Sequence, residues 1–217
     1  MRLVRLAVVA AVFAAAAALI PTGGVLRASS VAGGGSPADA DAALLGAFSG
    51  TDRQLVARAR SSEAVGTAAP SLDLKDLSSE GDLPLTDAGR PVILTFVEPD
   101  CAACPAEIAK LAALSVVFLD DAYVAVAAPP GGGAAVRRML DEQGGTGLVL
   151  GGEDVRGTVA DSVGVTKRPT TIVVSEDGVV DALFAEPVPL SLYYTFLNKA
   201  YGLRKPDRLR PDGAARP

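Results

Sequence analysis

Pro91-Val92-Ile93-Leu94-Thr95-Phe96-Val97, then Glu98-Pro99-Asp100, then Cys101-Ala102-Ala103-Cys104: this stretch decides the fold. The apolar run reads as a buried strand. Behind the cysteines comes Pro105-Ala106-Glu107-Ile108-Ala109-Lys110-Leu111-Ala112-Ala113-Leu114, in which Ile108, Leu111 and Leu114 recur at helical spacing. Strand, CxxC, helix is a geometry in which a dithiol does redox chemistry. The first sulfur is expected at a helix N-terminus, where free N–H groups and the dipole favour a thiolate. The second lies one turn on, close enough to close a small disulfide ring.

The same four residues have plainer readings. Half a zinc site is one, but tetrahedral zinc needs four protein ligands, or three plus water. The chain has two cysteines in all and no histidine, so no metal site is expected. A structural staple is the other, although a loop this short constrains the unfolded chain least. The missing histidine also removes Ser-His-Asp and Cys-His triads and His-ligated haem. Gly131-Gly132-Gly133 lacks the Lys and Ser/Thr of a phosphate loop and reads as a turn before a helix. Net charge is -5 without a basic-aromatic patch, which argues against nucleic acid as a partner.

The compartment is written at the N-terminus. Arg2 and Arg5 precede an apolar, alanine-rich segment, Leu6 to Leu26, the pattern of an export signal. Its span is long enough for a membrane anchor, while Ala28-Ser29-Ser30 offers small residues for cleavage, so anchored and secreted forms are both open, the anchor favoured on length. Without a following cysteine, no lipoprotein anchor is expected. Export implies an oxidising compartment, where cysteines usually serve as staples. A chain with two thiols and none to spare uses them more economically as working parts.

The remaining organisation follows in order: residues 1–26 as signal or anchor, 27–68 as linker with a short helix between Leu44 and Val65, 69–201 as a globular domain, 202–217 as a disordered basic tail. Arg53, Arg58 and Arg60 are expected on a solvated face. Within the domain, Leu72-Asp73-Leu74 and Leu83-Pro84-Leu85 read as edge strands, Ala122 to Val126 as a strand, Ala134 to Gln143 as a helix, Gly147 to Leu150 as a brief strand and Asp154 to Val163 as a helix. Thr170–Val174 and Val179–Phe184 form a hairpin around Ser175-Glu176-Asp177-Gly178, and Ser191 to Tyr201 closes as a helix. About 130 residues in this order suit one α/β domain with a mixed sheet flanked by helices.

Three segments resemble the extracytoplasmic TlpA/ResA-like branch of the thioredoxin superfamily. They are Ala69 to Leu74 with Gly89 to Phe96; Cys101-Ala102-Ala103-Cys104-Pro105-Ala106-Glu107; and Val163 to Val174, which contains Lys167-Arg168-Pro169-Thr170-Thr171, with Asp177-Gly178 behind it. The resemblance implies a thioredoxin-like fold and a thiol–disulfide oxidoreductase needing no cofactor beyond its dithiol. Cys101 would be the attacking thiolate and Cys104 the resolving thiol. Glu107 matches the family's functional glutamate, a partly buried acid that exchanges the proton of the resolving thiol; by itself it reads rather as an exposed acid complementing the helix dipole. Pro105 either kinks the opening turn or simply fits there. Pro169 matches the cis-proline loop, which would turn the Thr170 backbone outward to pair with an extended substrate, Arg168 either touching that substrate or lying in solvent.

Departures accompany the match. Asp100 replaces the tryptophan before the first cysteine, Ala-Ala replaces a proline-containing dipeptide, and Thr95 stands where cytoplasmic thioredoxins bury an aspartate. With no cation between the cysteines and with Glu98 and Asp100 just upstream, a reductant is expected rather than a disulfide donor. Its partners would be exported cysteine-containing proteins, apocytochrome c among them, and a membrane thiol carrier as electron donor. A peroxidase would want Thr or Ser three residues before the cysteine, where Glu98 stands, and a copper chaperone would want a histidine. From another class, the chain can be read as a non-catalytic thioredoxin-like binding module with a structural disulfide.

Overall fold

The computed structural model describes residues 37–204 except 84, 86–88 and 119. The signal or anchor segment, residues 27–36 of the linker and 205–217 of the tail lie outside the described residues. Among those described, no helix is long and apolar enough to cross a membrane.

One six-stranded mixed sheet organises the described chain. Its strands are β1 (Lys75–Asp76), β2 (Val92–Phe96), β3 (Tyr123–Ala128), β4 (Leu150–Glu153), β5 (Thr170–Val174) and β6 (Val180–Phe184), in spatial order β1-β4-β3-β2-β5-β6. β2 and β5 are buried along their whole length, as the continuous apolar run at 91–97 requires of a central strand. β2 pairs parallel with β3 and antiparallel with β5; β5 and β6 form the expected hairpin. Gly178 closes its turn at φ 74°, a conformation that suits glycine.

The helices are α1 (Pro37–Gly46), α2 (Gly50–Arg60), α3 (Cys104–Phe118), α4 (Gly133–Glu142), α5 (Thr158–Ser162) and α6 (Leu190–Tyr201). Alternation along β2 divides the core. Ile93 and Val97 face α3, α4, α6 and α2 in one apolar cluster, while Val92, Leu94 and Phe96 face Leu72, Leu74, Leu85 and Val159 in another.

Several boundaries differ from expectation. The short helix expected between Leu44 and Val65 is α2, with Val56 and Ala59 buried against the domain, and a second helix, α1, precedes it in the stretch read as linker. Arg60 is not a solvated residue: it donates to the Asp181 carbonyl at 2.9 Å and pairs with Asp41. Leu72, Leu74, Leu83 and Leu85 are buried but do not lie in strands. Leu74 N–H bonds Leu72 O and Leu85 N–H bonds Leu83 O, each at 2.9 Å, so local turns take these donors. A single bond among the described residues, Leu83 N–H to Leu74 O at 2.9 Å, runs between the two segments beside the Lys75–Asp82 bridge. The brief strand is β4, beginning where 147–150 was expected to end, because Leu148 and Val149 N–H both fold back on Gly145 O. Gly152 allows this close approach: a Cβ there would lie 2.6 Å from that of Leu74. The helix expected over 154–163 shrinks to α5, Asp154 instead accepting the Ala160 N–H at 2.9 Å. At the other end, Leu203 packs on the core past the Gly202 helix cap, inside the stretch read as tail.

Candidate active site

Register brings the site together. Phe96, the last residue of β2, stands opposite Thr170, the first of β5. The cysteine turn leaving β2 and the proline loop entering β5 therefore occupy the same end of the sheet. The Arg168–Pro169 peptide is cis.

Cys101 and Cys104 form a disulfide with Cα atoms 5.4 Å apart. α3 starts at Cys104, one residue earlier than its pattern suggests, and Cys101 lies in the turn before it, its carbonyl accepting the Cys104 N–H at 3.1 Å. Cys101 is half-buried and Cys104 fully buried. Pro105 is the second residue of an unbroken 15-residue helix, where a missing N–H costs nothing.

Glu107 is 1 % exposed, which removes the reading of a solvated first-turn acid. Its Oε1 accepts the Tyr193 hydroxyl at 2.7 Å, and its Oε2 meets the Lys110 ammonium. Lys110 also donates to the Val188 carbonyl at 2.7 Å, so one ammonium joins α3 to the segment before α6. Behind Tyr193, Thr171 shares a hydrogen bond with the phenol at 2.9 Å and with Thr95 at 2.8 Å. Burial first, then the Glu107 charge, holds the Tyr193 phenol well above its ordinary range, so it remains a donor. Thr95 thus holds a buried polar place in β2, with Thr171 as its partner.

Arg168 is half-buried, its guanidinium 5.9 Å from the Phe96 ring centre, one N–H donating to Lys167 O at 3.3 Å. Its Nε is buried without a partner, at the wall of a cavity of about 170 Å³ shared with Phe96, Pro130, Asp154 and Asp161. Thr170 is buried and donates its hydroxyl to Lys167 O at 2.9 Å, fixing the proline loop.

Tyr193, Lys110 and Thr171 were not singled out from the sequence. Lys110 was findable, since it stands three residues after Glu107 on the same helix. Tyr193 was not, because nothing in its apolar helix announces that its hydroxyl meets an acid on another helix.

The sequence pattern of the AhpC/TSA family matches residues 65–183, more than half of the chain. No curated protein matches it. Among solved structures, a thiol:disulfide interchange protein DsbE from Chlorobium tepidum is 17 % identical with a TM-score of 0.54, covering 62 % of this chain and 96 % of that one. The thioredoxin domain of a thiol-disulfide oxidoreductase from Bacteroides vulgatus is 22 % identical, TM-score 0.53, covering 62 % and 96 %. An exposed lipoprotein thioredoxin from Streptococcus pneumoniae is 17 % identical, TM-score 0.52, covering 58 % and 97 %. The fold is shared with these structures, a CxxC disulfide stands at the end of its central strand, and the chain belongs to the AhpC/TSA family.

Proposed function

We propose that this protein reduces disulfides in exported cysteine-containing proteins, apocytochrome c among its substrates, working outside the cytoplasm from a membrane tether supplied by its N-terminal segment. The observation that carries the reading is the asymmetry of the pair: a half-exposed Cys101 beside a buried Cys104, with the buried carboxylate of Glu107 one turn on.

In the reduced enzyme, the Cys101 thiolate attacks one sulfur of the substrate disulfide. A mixed disulfide forms and the other substrate sulfur leaves as thiolate. Glu107 takes the proton of Cys104 Sγ, and the new thiolate attacks Cys101 Sγ. The second substrate sulfur leaves, and the Cys101–Cys104 disulfide remains. Two electrons have passed to the substrate, and a membrane thiol carrier returns two to the enzyme. Arg168 and Thr170 border the surface on which the substrate lies.

The test is reduction of a protein disulfide by the full chain with a small dithiol as electron source. Cys101→Ser should abolish turnover, and Cys104→Ser should accumulate a mixed disulfide with its target. Turnover surviving Cys101→Ser would end the reading, and consumption of peroxide at a rate matching disulfide reduction would replace it with a peroxidase.

A further inference from the structure

The residue entering the cis-proline bond carries a charge that the fold leaves unmatched. A guanidinium has five N–H donors. Among the described residues, Arg168 donates to Lys167 O at 3.3 Å, forms no ion pair, and keeps its Nε buried without a partner. The Phe96 ring lies against the group, its centre 5.9 Å away. Across the cavity of about 170 Å³ the wall is acidic. Asp154 is 2 % exposed, its Oδ2 accepting the Ala160 N–H at 2.9 Å, and Asp161 is exposed. Ala128 and Ala160 line the space with methyl groups, too small to fill it. Register fixes its place. Phe96 stands opposite Ala127 of β3 and Thr170 of β5, so the cavity lies at the sheet end from which the cysteine turn leaves. Strands are spaced about 4.8 Å apart and an extended chain advances about 3.3 Å per residue. A peptide whose cysteine meets Cys101 therefore carries a side chain to the cavity from one to three residues away.

We propose that this cavity is a specificity pocket for a neutral carboxamide, the side chain of an asparagine or glutamine within three residues of the substrate cysteine. This rests on the disulfide-reducing role given above and names its substrate class. Charge decides the ligand. The buried Arg168 Nε–H calls for an acceptor. A carboxylate supplies one but sets a further negative charge beside Asp154 and Asp161. An ammonium suits the two acids and repels the guanidinium. A carboxamide has both functions: its oxygen accepts from Arg168, and its NH2 donates to Asp154 Oδ1 or to Asp161. An aliphatic side chain fits the volume but leaves the Arg168 donor buried and unpaired. Arg168 and Asp154 select the substrate and touch neither reacting sulfur, so the dithiol exchange itself is unchanged.

The measurement is kcat/KM of the full chain, recharged by a small dithiol, on disulfide-linked peptides of one parent sequence. The peptides carry Asn, Gln, Asp, Lys or Ala at each of the three positions on either side of the cysteine. At one position Asn or Gln should exceed Ala by about tenfold, the worth of a hydrogen bond to a charged group, with Asp and Lys no better than Ala. Arg168→Met, which keeps the length and loses the donors, should bring the amide-to-alanine ratio there to about one. Asp154→Asn keeps an oxygen for the Ala160 N–H and removes a negative charge, so the Asp peptide should rise about tenfold over Ala. An amide preference that survives Arg168→Met overturns the pocket, as does an Asp or Lys peptide matching Asn in the wild type. An Asp peptide no better than Ala in folded Asp154→Asn does the same; if that variant does not fold, the ratio in Arg168→Met decides. Reduction of every peptide at one rate removes the pocket alone, whereas reduction of none removes the disulfide-reducing role and the pocket with it.

Discussion

Replacing Glu107 by Gln perturbs two things at once, and the structure lets them be separated. The amide keeps the side-chain shape, and its oxygen can still accept the Tyr193 hydroxyl. It cannot take a proton from Cys104, and general-base assistance is worth about 10²–10⁴-fold. Resolution of the mixed disulfide should therefore slow by about 10²-fold and lose its low-pH limb. The second effect is on stability. Removing one partner of a buried ion pair costs about 3–5 kcal/mol because the other charge is stranded. Lys110 keeps 25 % of its side chain exposed and retains the Val188 carbonyl, so it can turn partly to water. A loss of about 1–2 kcal/mol is the corresponding expectation. The double variant Glu107→Gln/Lys110→Met removes the stranded ammonium; it should regain about 1 kcal/mol of stability and none of the rate. Urea unfolding gives the first number and quenched single-turnover kinetics the second. A rate that returns with stability in the double variant would refute the reasoning, because the loss in Glu107→Gln would then be structural.

Further expectations concern the thiols, the poise, the substrate surface and the phenols. In the reduced full chain Cys101 should alkylate much faster than Cys104, since the former is half-exposed and the latter fully buried; competitive labelling with mass readout checks this, and equal rates would reverse the roles. With Ala102 and Ala103 between the cysteines and Glu98 and Asp100 before them, the reduction potential should lie near about -270 mV rather than about -120 mV; glutathione equilibration giving a value above about -180 mV would make the protein an oxidant. Arg168→Ala should raise KM for a protein disulfide about tenfold with little change in kcat, because the guanidinium borders the cavity beside the proline loop. Burial, with Asp181 beside it, pushes the Tyr201 phenol far above its ordinary range, and burial with Glu107 does so for Tyr193. Both stay protonated in the fold while an unfolded tyrosine ionises near pH 10. Above that pH the unfolded state holds fewer protons, so stability is full below about pH 10 and then falls by about 1.4 kcal/mol per pH unit for each phenol. Tyr201→Phe should lower that slope by about 1.4 kcal/mol per pH unit in urea unfolding series, and an unchanged slope would count against the burial argument.

The strand-CxxC-helix order and the hairpin around Gly178 were legible because each depends on neighbours in sequence, an apolar run and a turn signal, whereas the cis bond at Pro169 was expected from the resemblance of residues 163–174. Less legible were 72–85 and 147–153, where alternating leucines and the apolar run Leu148-Val149-Leu150 suggest strands in the wrong places. There the backbone groups were taken by turns, and a strand formed only where Gly152 let Leu74 come close. In the site, Cys101 and Cys104 were proposed by their spacing, and Glu107, one turn further on, by the resemblance of the motif around it. The proton-handling surroundings could not be read that way. Tyr193 is 86 residues from Glu107 and Thr171 is 76 from Thr95, and their hydroxyls meet only because β2 pairs with β5 and α6 lies against α3. Sequence determined which groups carry the redox chemistry, since reactivity belongs to side chains at short range. Tertiary structure decided how the acid among them is buried and partnered, since hydrogen bonds between distant segments exist only after packing has set their distances and excluded water.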